Sequence, residues 1–265
     1  MKTLTLALAL IAGSAHAQQW YPSVGDTWQW QLTGELNTSY DVNVYDIDLF
    51  DTSAQTIAAL QADGRKIVCY FSAGSSEEWR DDFANFTEAD QGNPLDGWDG
   101  ERWLDTRSEN VREIMLARLD LAAAKGCDGV EPDNMDGYQP DNGAGLPLSR
   151  DTLLDYASFL ALAAHDRGLA IGLKNDTDNV ATLASTFDFA VNEECFQYEE
   201  CEVYSAFTSL GKPVFSAEYE DRFLENTGGA RDEMCATSRA LGMHTLVLAW
   251  DLDDSYRYSC DSDFR

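Results

Sequence analysis

The sequence predicts an α/β chain folded as a single-domain (β/α)8 TIM barrel. Three observations predict it: about eight short β-rich runs alternate with amphipathic helical stretches, glycines punctuate the helix ends, and the runs finish in polar or acidic residues. With 265 residues, 44% of them hydrophobic, the chain has enough material for one such core, a barrel needing about 250 residues.

The strand runs are expected at 27–32, 42–48, 66–73, 129–133, 170–175, 187–193, 213–219 and 245–251. Between them, 52–63 carries Ile57 and Leu60 at helical spacing, and 108–125 carries Val111, Ile114, Met115 and Leu119. The segment 150–167 carries Leu153, Tyr156, Ala157, Leu160 and Ala164, one apolar stripe for a sheet. Gly64, Gly126, Gly168, Gly211 and Gly242 each follow such a stretch, where a left-handed residue closes a helix. No GxGxxG follows the first strand, so the strand count favours a closed ring over a doubly wound sheet. The connection from the first to the second strand is short for a helix.

The amino terminus reads as an export signal over 1–17: Lys2, an apolar run from Leu4 to Ala12, then Ala15-His16-Ala17 at the cleavage point. The catalytic domain is expected over 18–265, beginning near Gln18, and the apolar run is too short for a bilayer, which needs about 20 residues. The expectation is a secreted or periplasmic monomer without membrane attachment. Six cysteines suit an oxidising compartment, and the absence of CxxC pairs favours disulfides over zinc. Spacing predicts a local Cys195–Cys201 staple. It leaves the remaining connectivity open, with Cys69–Cys127 and Cys235–Cys260 as a working pairing.

The 47 acidic residues against 18 basic give a net charge of −29, which repels nucleic acid, anionic lipid and acidic glycans. A neutral or cationic substrate is favoured; solubility alone also accounts for an acidic surface.

In a barrel, catalytic groups project from the C-terminal ends of the strands. That rule selects Asp46 and Asp48, Tyr70 and Ser72, Asp133 with Asn134 and Asp136, Lys174 and Asn175, Glu193, Glu218, and Trp250. A single acid at a strand end serves equally well as a helix cap. Their convergence on one rim fits glycosidic chemistry, which needs one carboxyl as acid and a second as nucleophile or base. Lys174 would hold a nearby carboxylate ionised. Trp28, Trp30, Trp79, Trp98, Trp103 and Trp250 supply flat faces for sugar rings, and Trp30 and Trp103 join the expected substrate-binding set. Calcium is the competing use of Asp133, Asn134, Asp136, Asp141 and Asn142, but the ordered EF-hand spacing is missing. No metal or other cofactor is expected. No GxSxG occurs, and His165 and His244 fall away from the active rim, so a nucleophilic triad is unsupported.

Seven motifs in order resemble glycoside hydrolase family 114. They are Trp28-Gln29-Trp30-Gln31-Leu32, Tyr45-Asp46-Ile47-Asp48, Cys69-Tyr70-Phe71-Ser72-Ala73-Gly74, Trp103-Leu104-Asp105, Asp128-Gly129-Val130-Glu131-Pro132-Asp133-Asn134-Met135-Asp136, Gly172-Leu173-Lys174-Asn175 and Asn192-Glu193-Glu194-Cys195. The resemblance implies a secreted endo-α-1,4-polygalactosaminidase on a (β/α)8 barrel, its catalytic pair matching Asp133 and Glu193 by position. It further implies a cationic amino-sugar polymer as partner. The chain departs from the family pattern at Glu131, where Asp is expected, and at Glu194, where Gln is common. Two rivals are a carbohydrate-binding barrel without activity and a hydrolase of another α-glycan.

Overall fold

The computed structural model describes residues 19–261. The expected signal segment 1–17 and the cleavage point near Gln18 lie outside the described residues. The chain opens with β1 (Trp28–Gln31), β2 (Val44–Asp48), α1 (Ala54–Ala62) and β3 (Lys66–Ser72). A lobe of three short strands follows, β4 (Ser75–Glu77), β5 (Gln91–Pro94) and β6 (Glu101–Leu104), then α2 (Glu109–Lys125) and β7 (Gly129–Asp133). Next come α3 (Arg150–His165), β8 (Ala170–Lys174), α4 (Val180–Leu183), β9 (Phe189–Glu193), α5 (Ser205–Thr208) and β10 (Val214–Glu218). The chain ends with α6 (Asp221–Leu224), α7 (Ala230–Leu241), β11 (His244–Leu248) and β12 (Arg257–Ser259).

All eight expected runs are strands, and they pair in parallel in the order β1, β2, β3, β7, β8, β9, β10, β11. This is a (β/α)8 barrel with a distinctive seam. β12 pairs antiparallel with β11, and the Arg257 side chain reaches from it to the Trp28 carbonyl and the Gln29 amide of β1. The Trp28 indole donates to the His244 carbonyl at 3.0 Å, stitching β1 to β11 through side chains.

Two apolar layers result from the two-residue alternation of the strands. Tyr45, Ile47, Ile67, Cys69, Phe71, Val130, Ile171 and Leu173 face outward and are buried against Ile57, Leu60, Val111, Leu119 and Leu160 of the helices. Inside the ring, Trp28, Trp30, Val44, Val68, Phe189, Val191, Phe215 and Leu246 fill the lower barrel. Each of these large side chains contributes roughly 1.5–3 kcal/mol by leaving water. Gly126 closes α2 at φ 92, the left-handed cap expected of it.

Three disulfides, Cys69–Cys127, Cys195–Cys201 and Cys235–Cys260, use all six cysteines. The first clamps β3 to the loop entering β7. No helix among the described residues is long and apolar enough to cross a membrane.

Candidate active site

The inward alternation that is apolar at the bottom of the barrel turns polar near the top. Val44 leads to Asp46, Val68 to Tyr70, Gly129 to Glu131 and Asp133, Ala170 to Lys174, and Val191 to Glu193. Lys174 is the hub: its ammonium lies 3.0 Å from Glu131, 3.3 Å from Asp133 and 3.2 Å from Glu193. Burial disfavours its charge, but the carboxylates of Asp133, Glu131 and Glu193 outweigh that and hold Lys174 well above the ordinary lysine range. The ring of Trp30 lies 4.8 Å away and forms the floor under the ammonium.

Each of the two rim carboxylates has its own tyrosine. The Tyr70 hydroxyl donates to Asp133 at 3.0 Å and the Tyr219 hydroxyl to Glu193 at 2.6 Å. Desolvation first, then the adjacent carboxylates, push both phenols well above the usual tyrosine range, so both remain donors. The Asn134 backbone N–H completes the cradle of Asp133 at 2.8 Å. Asp133 is the more enclosed of the pair, its side chain 16% exposed against 28% for Glu193.

Below them, Asp46 and Glu131 meet carboxyl to carboxyl. Neither oxygen of Asp46 receives a donor from any described neighbour. Desolvation, then the charge of Glu131, push Asp46 well above the usual carboxylate range, and desolvation raises Glu131 as well. The barrel centre thus gathers the carboxyl groups of Glu131, Asp133 and Glu193 around one ammonium, with Asp46 beneath them.

Loops fix the rim. Asn134 and Asn175 both follow their strands in left-handed conformation, at φ 60 and φ 47, a geometry Asn tolerates. The Asn175 side chain accepts the Glu193 backbone N–H at 2.9 Å, orienting the end of β9. Gly74 lies flat against the β7 turn, where an added Cβ would stand 1.6 Å from the Asn134 carbonyl oxygen. The lobe of β4, β5 and β6 forms one wall of a cavity of about 330 Å³ and brings Leu95, Trp98, Glu101 and Trp103 to it. The loop after β7 forms the opposite wall with Met135, Asp136, Asp141 and Asn142, and it is tied to the lobe by Asn93, which bonds Ala144 and Gly143.

Of the residues expected from sequence, Asp133, Glu193, Tyr70, Trp103, Asn134, Asp136, Lys174 and Asn175 line this cavity together. Five others do not. Asp48 is consumed by Arg80, which donates at 2.6 and 3.1 Å, and by the backbone N–H groups of Phe50 and Asp51. Ser72 ties Ser75 to Asn134 beneath the surface. Asp46 and Trp30 sit one layer too deep to meet a ligand. Glu218 is corrected most plainly: Phe215, Ala217 and Tyr219 share the inward side of β10, so Glu218 points outward and accepts the Phe196 backbone N–H at 2.8 Å. Trp250 stands on the rim beside the cavity, edge-on to Tyr219 at 5.1 Å.

Sequence reading left Tyr219 and Glu101 out of the expected site; Trp98, named among the tryptophans that offer a face to sugar rings, does line the cavity. Strand parity counted from Phe215 points to Tyr219; nothing local marks Glu101 before the lobe folds. Glu101 accepts the Ser75 hydroxyl at 2.5 Å, and desolvation chiefly pushes it up to about 7. Among the described residues no group of three or more His, Cys, Asp or Glu side chains is arranged to hold a metal ion. His165 and His244 pair with Asp188 and Asp261, away from this cavity.

Two carboxylates at the C-terminal mouth of a (β/α)8 barrel, joined by a buried lysine and flanked by tryptophans, define a glycoside hydrolase site. The chain belongs to glycoside-hydrolase family GH114, whose sequence model matches residues 11–265. It is similar to Aspergillus fumigatus Ega3, crystallised in complex with galactosamine, at 44% identity and a TM-score of 0.85, over 94% of this chain and 100% of that one. The glycoside hydrolase domain of PelA from Pseudomonas aeruginosa shares the fold at 14% identity and a TM-score of 0.65, over 86% and 96% of the two chains. An uncharacterized protein of Deinococcus radiodurans is 27% identical over 227 residues, 74% of this chain and 72% of that protein.

Proposed function

We propose that this glycoside hydrolase is exported and cuts within polymers of α-1,4-linked galactosamine, retaining the anomeric configuration, with Asp133 as nucleophile and Glu193 as acid and base. The observation that carries this reading is the shared grip of Lys174 on both carboxylates. Oxygens at 3.3 and 3.2 Å from one nitrogen are no more than about 6.5 Å apart. Retaining enzymes separate their carboxyls by about 5–5.5 Å, and inverting ones by about 6.5–9.5 Å to admit a water.

In the first step Glu193 gives its proton to the leaving glycosidic oxygen while an Asp133 oxygen bonds to the anomeric carbon. Water then attacks that carbon, Glu193 takes the proton back, and Asp133 is released. The greater exposure of Glu193 suits the group that must exchange protons with solvent; the three donors around Asp133 suit the group that must leave as a carboxylate.

Charge supports the substrate class. The cavity is lined by Asp96, Glu101, Asp133, Asp136, Asp141 and Glu193, and its one lysine is already engaged. A sugar bearing an ammonium gains from such a lining, whereas an acidic glycan is repelled. The structure with galactosamine of the relative 44% identical to this chain agrees with that preference. Three disulfides suit an oxidising compartment outside the cytoplasm.

Incubating the protein with an α-1,4-galactosamine polymer, a neutral α-glucan and an acidic glycan tests this. Shortened galactosamine oligomers whose new reducing ends first appear as the α anomer by proton NMR are expected. Cleavage of the glucan alone would overturn the substrate class, and initial β anomer would overturn the retaining mechanism.

A further inference from the structure

A line of hydrogen bonds runs from the wall of the reaction cavity to the turn behind Asp133, through side chains sealed from water. Glu101, the first residue of β6, accepts the Ser75 hydroxyl at 2.5 Å. The Ser75 and Ser72 hydroxyl oxygens stand 2.6 Å apart, and the Asn134 side-chain amide donates to Ser72 at 3.0 Å. Ser75 is 0% exposed and Ser72 1%, and neither lines the cavity, whereas Glu101 and Asn134 both do.

A count of hydrogens gives this line one direction. Each serine has a single hydroxyl hydrogen to donate. Ser75 gives its own to Glu101, so the bond between the two serines takes the hydrogen of Ser72. Ser72 then has only lone pairs left, which receive the Asn134 amide and the Ser75 backbone N–H at 3.1 Å. One acceptor at the far end, the Glu101 carboxyl, therefore orders every donor back to Asn134. Among the described residues the Asn134 side chain bonds to Ser72 and, at 3.5 Å, to Ser75. The same residue sits at φ 60 and gives its backbone N–H to Asp133 at 2.8 Å. A left-handed residue other than glycine persists where its surroundings hold it in place.

We propose that Glu101 is a positioning residue for the nucleophile: through Ser75 and Ser72 it anchors the Asn134 turn and so aims Asp133 at the anomeric carbon. The proposal rests on the role of Asp133 given above. It couples the separate sheet of the β4, β5 and β6 lobe to β7, the strand that delivers Asp133.

The test is steady-state kinetics on a galactosamine polymer, with unfolding midpoints measured alongside. Ser75→Ala removes the middle of the line and leaves the cavity lining in place; kcat is expected to fall at least about tenfold, with KM within about twofold of wild type. Glu101→Ala should lose as much in kcat, and the double variant should lose no more than about threefold beyond either single one. Glu101→Gln keeps an oxygen that accepts from Ser75, and its kcat should stay within about threefold of wild type, whatever the lost charge does to KM. A folded Ser75→Ala protein with wild-type kcat, or a Glu101→Gln protein as slow as Glu101→Ala, would overturn the proposal. If Ser75→Ala does not fold, the comparison of Glu101→Ala with Glu101→Gln decides alone. A wild type that leaves the polymer uncut, or an Asp133→Asn protein that retains turnover, would overturn the reading of the site and the proposal with it. The other contrary results, obtained beside an inactive Asp133→Asn protein, strike the proposal and leave that reading standing.

Discussion

Asp133 and Glu193 stand on two sides of one ammonium, their nearest oxygens 3.3 and 3.2 Å from the Lys174 nitrogen. One side chain from β8 therefore sets the distance between groups delivered by β7 and β9. Its own position is fixed from below by Glu131 at 3.0 Å and by the Trp30 face.

Replacing Lys174 by Met leaves the buried Glu131 and the half-buried Asp133 and Glu193 without their cation, which is expected to cost about 3–5 kcal/mol. Turnover should fall at least about 100-fold, since the separation of the pair is lost. The stability gap to wild type should narrow as pH falls from neutral toward about 4, because protonation removes the repulsion that the cation had balanced. Denaturant unfolding at a series of pH values measures both the gap and its slope.

Gly74→Ala is expected to abolish activity through geometry alone. The new methyl would stand 1.6 Å from the Asn134 carbonyl, so the turn that donates to Asp133 must move. A loss of about 2–4 kcal/mol in stability should accompany it, the upper range for local overpacking. Unfolding curves and turnover on the polymer together check this.

Much of this site is legible in the sequence because a barrel strand has a two-residue period and one functional end. Tyr70, Asp133, Lys174 and Glu193 all follow from that rule. Glu218 is misplaced for want of the same count, since Phe215 and Tyr219 already fix its strand's inward side. Asp48 has the right parity, yet Arg80 arrives from 32 residues further on and takes both its oxygens. Glu101, Trp98 and the lobe that carries them leave no periodic trace: Gln91-Gly92-Asn93-Pro94 makes a strand only because its neighbours pair with it. The seam strand β12 is invisible for a similar reason, three residues held by β11 and Arg257.

Folding stability should peak in mild acid and decline toward pH 8. Burial raises Glu218 to about 8 and Glu101 to about 7, both above the ordinary glutamate value of about 4.5. Folded chains therefore hold these protons where unfolded ones release them; the stabilisation is complete below about 4.5 and is lost as pH rises through 7 to 8. His165 and His244, raised by pairing with Asp188 and Asp261, act in the same direction. Glu218→Gln should flatten the decline, by an amount on the order of 2–4 kcal/mol between pH 5 and 8.5. Thermal unfolding across that range measures it, and a stability that rises with pH would contradict the burial of Glu218.

Removing the Cys69–Cys127 bridge, which spans 58 residues, should cost about 4 kcal/mol by release of the unfolded chain. The Cys195–Cys201 bridge spans only 6 residues and should cost less in stability. It should cost more in turnover, because it anchors the loop that follows Glu193. Paired serine substitutions, compared by unfolding midpoint and by turnover, separate the two effects.

Glycosidic cleavage by Asp133 and Glu193 acting as a pair is tested most directly by the turnover of Asp133→Asn, Glu193→Gln and the double variant on a galactosamine polymer. Each single variant is expected to lose at least about 1,000-fold in kcat with its unfolding midpoint preserved, and the double variant to lose little more, as groups acting as one unit do. A folded single variant that retains wild-type turnover would contradict the assignment.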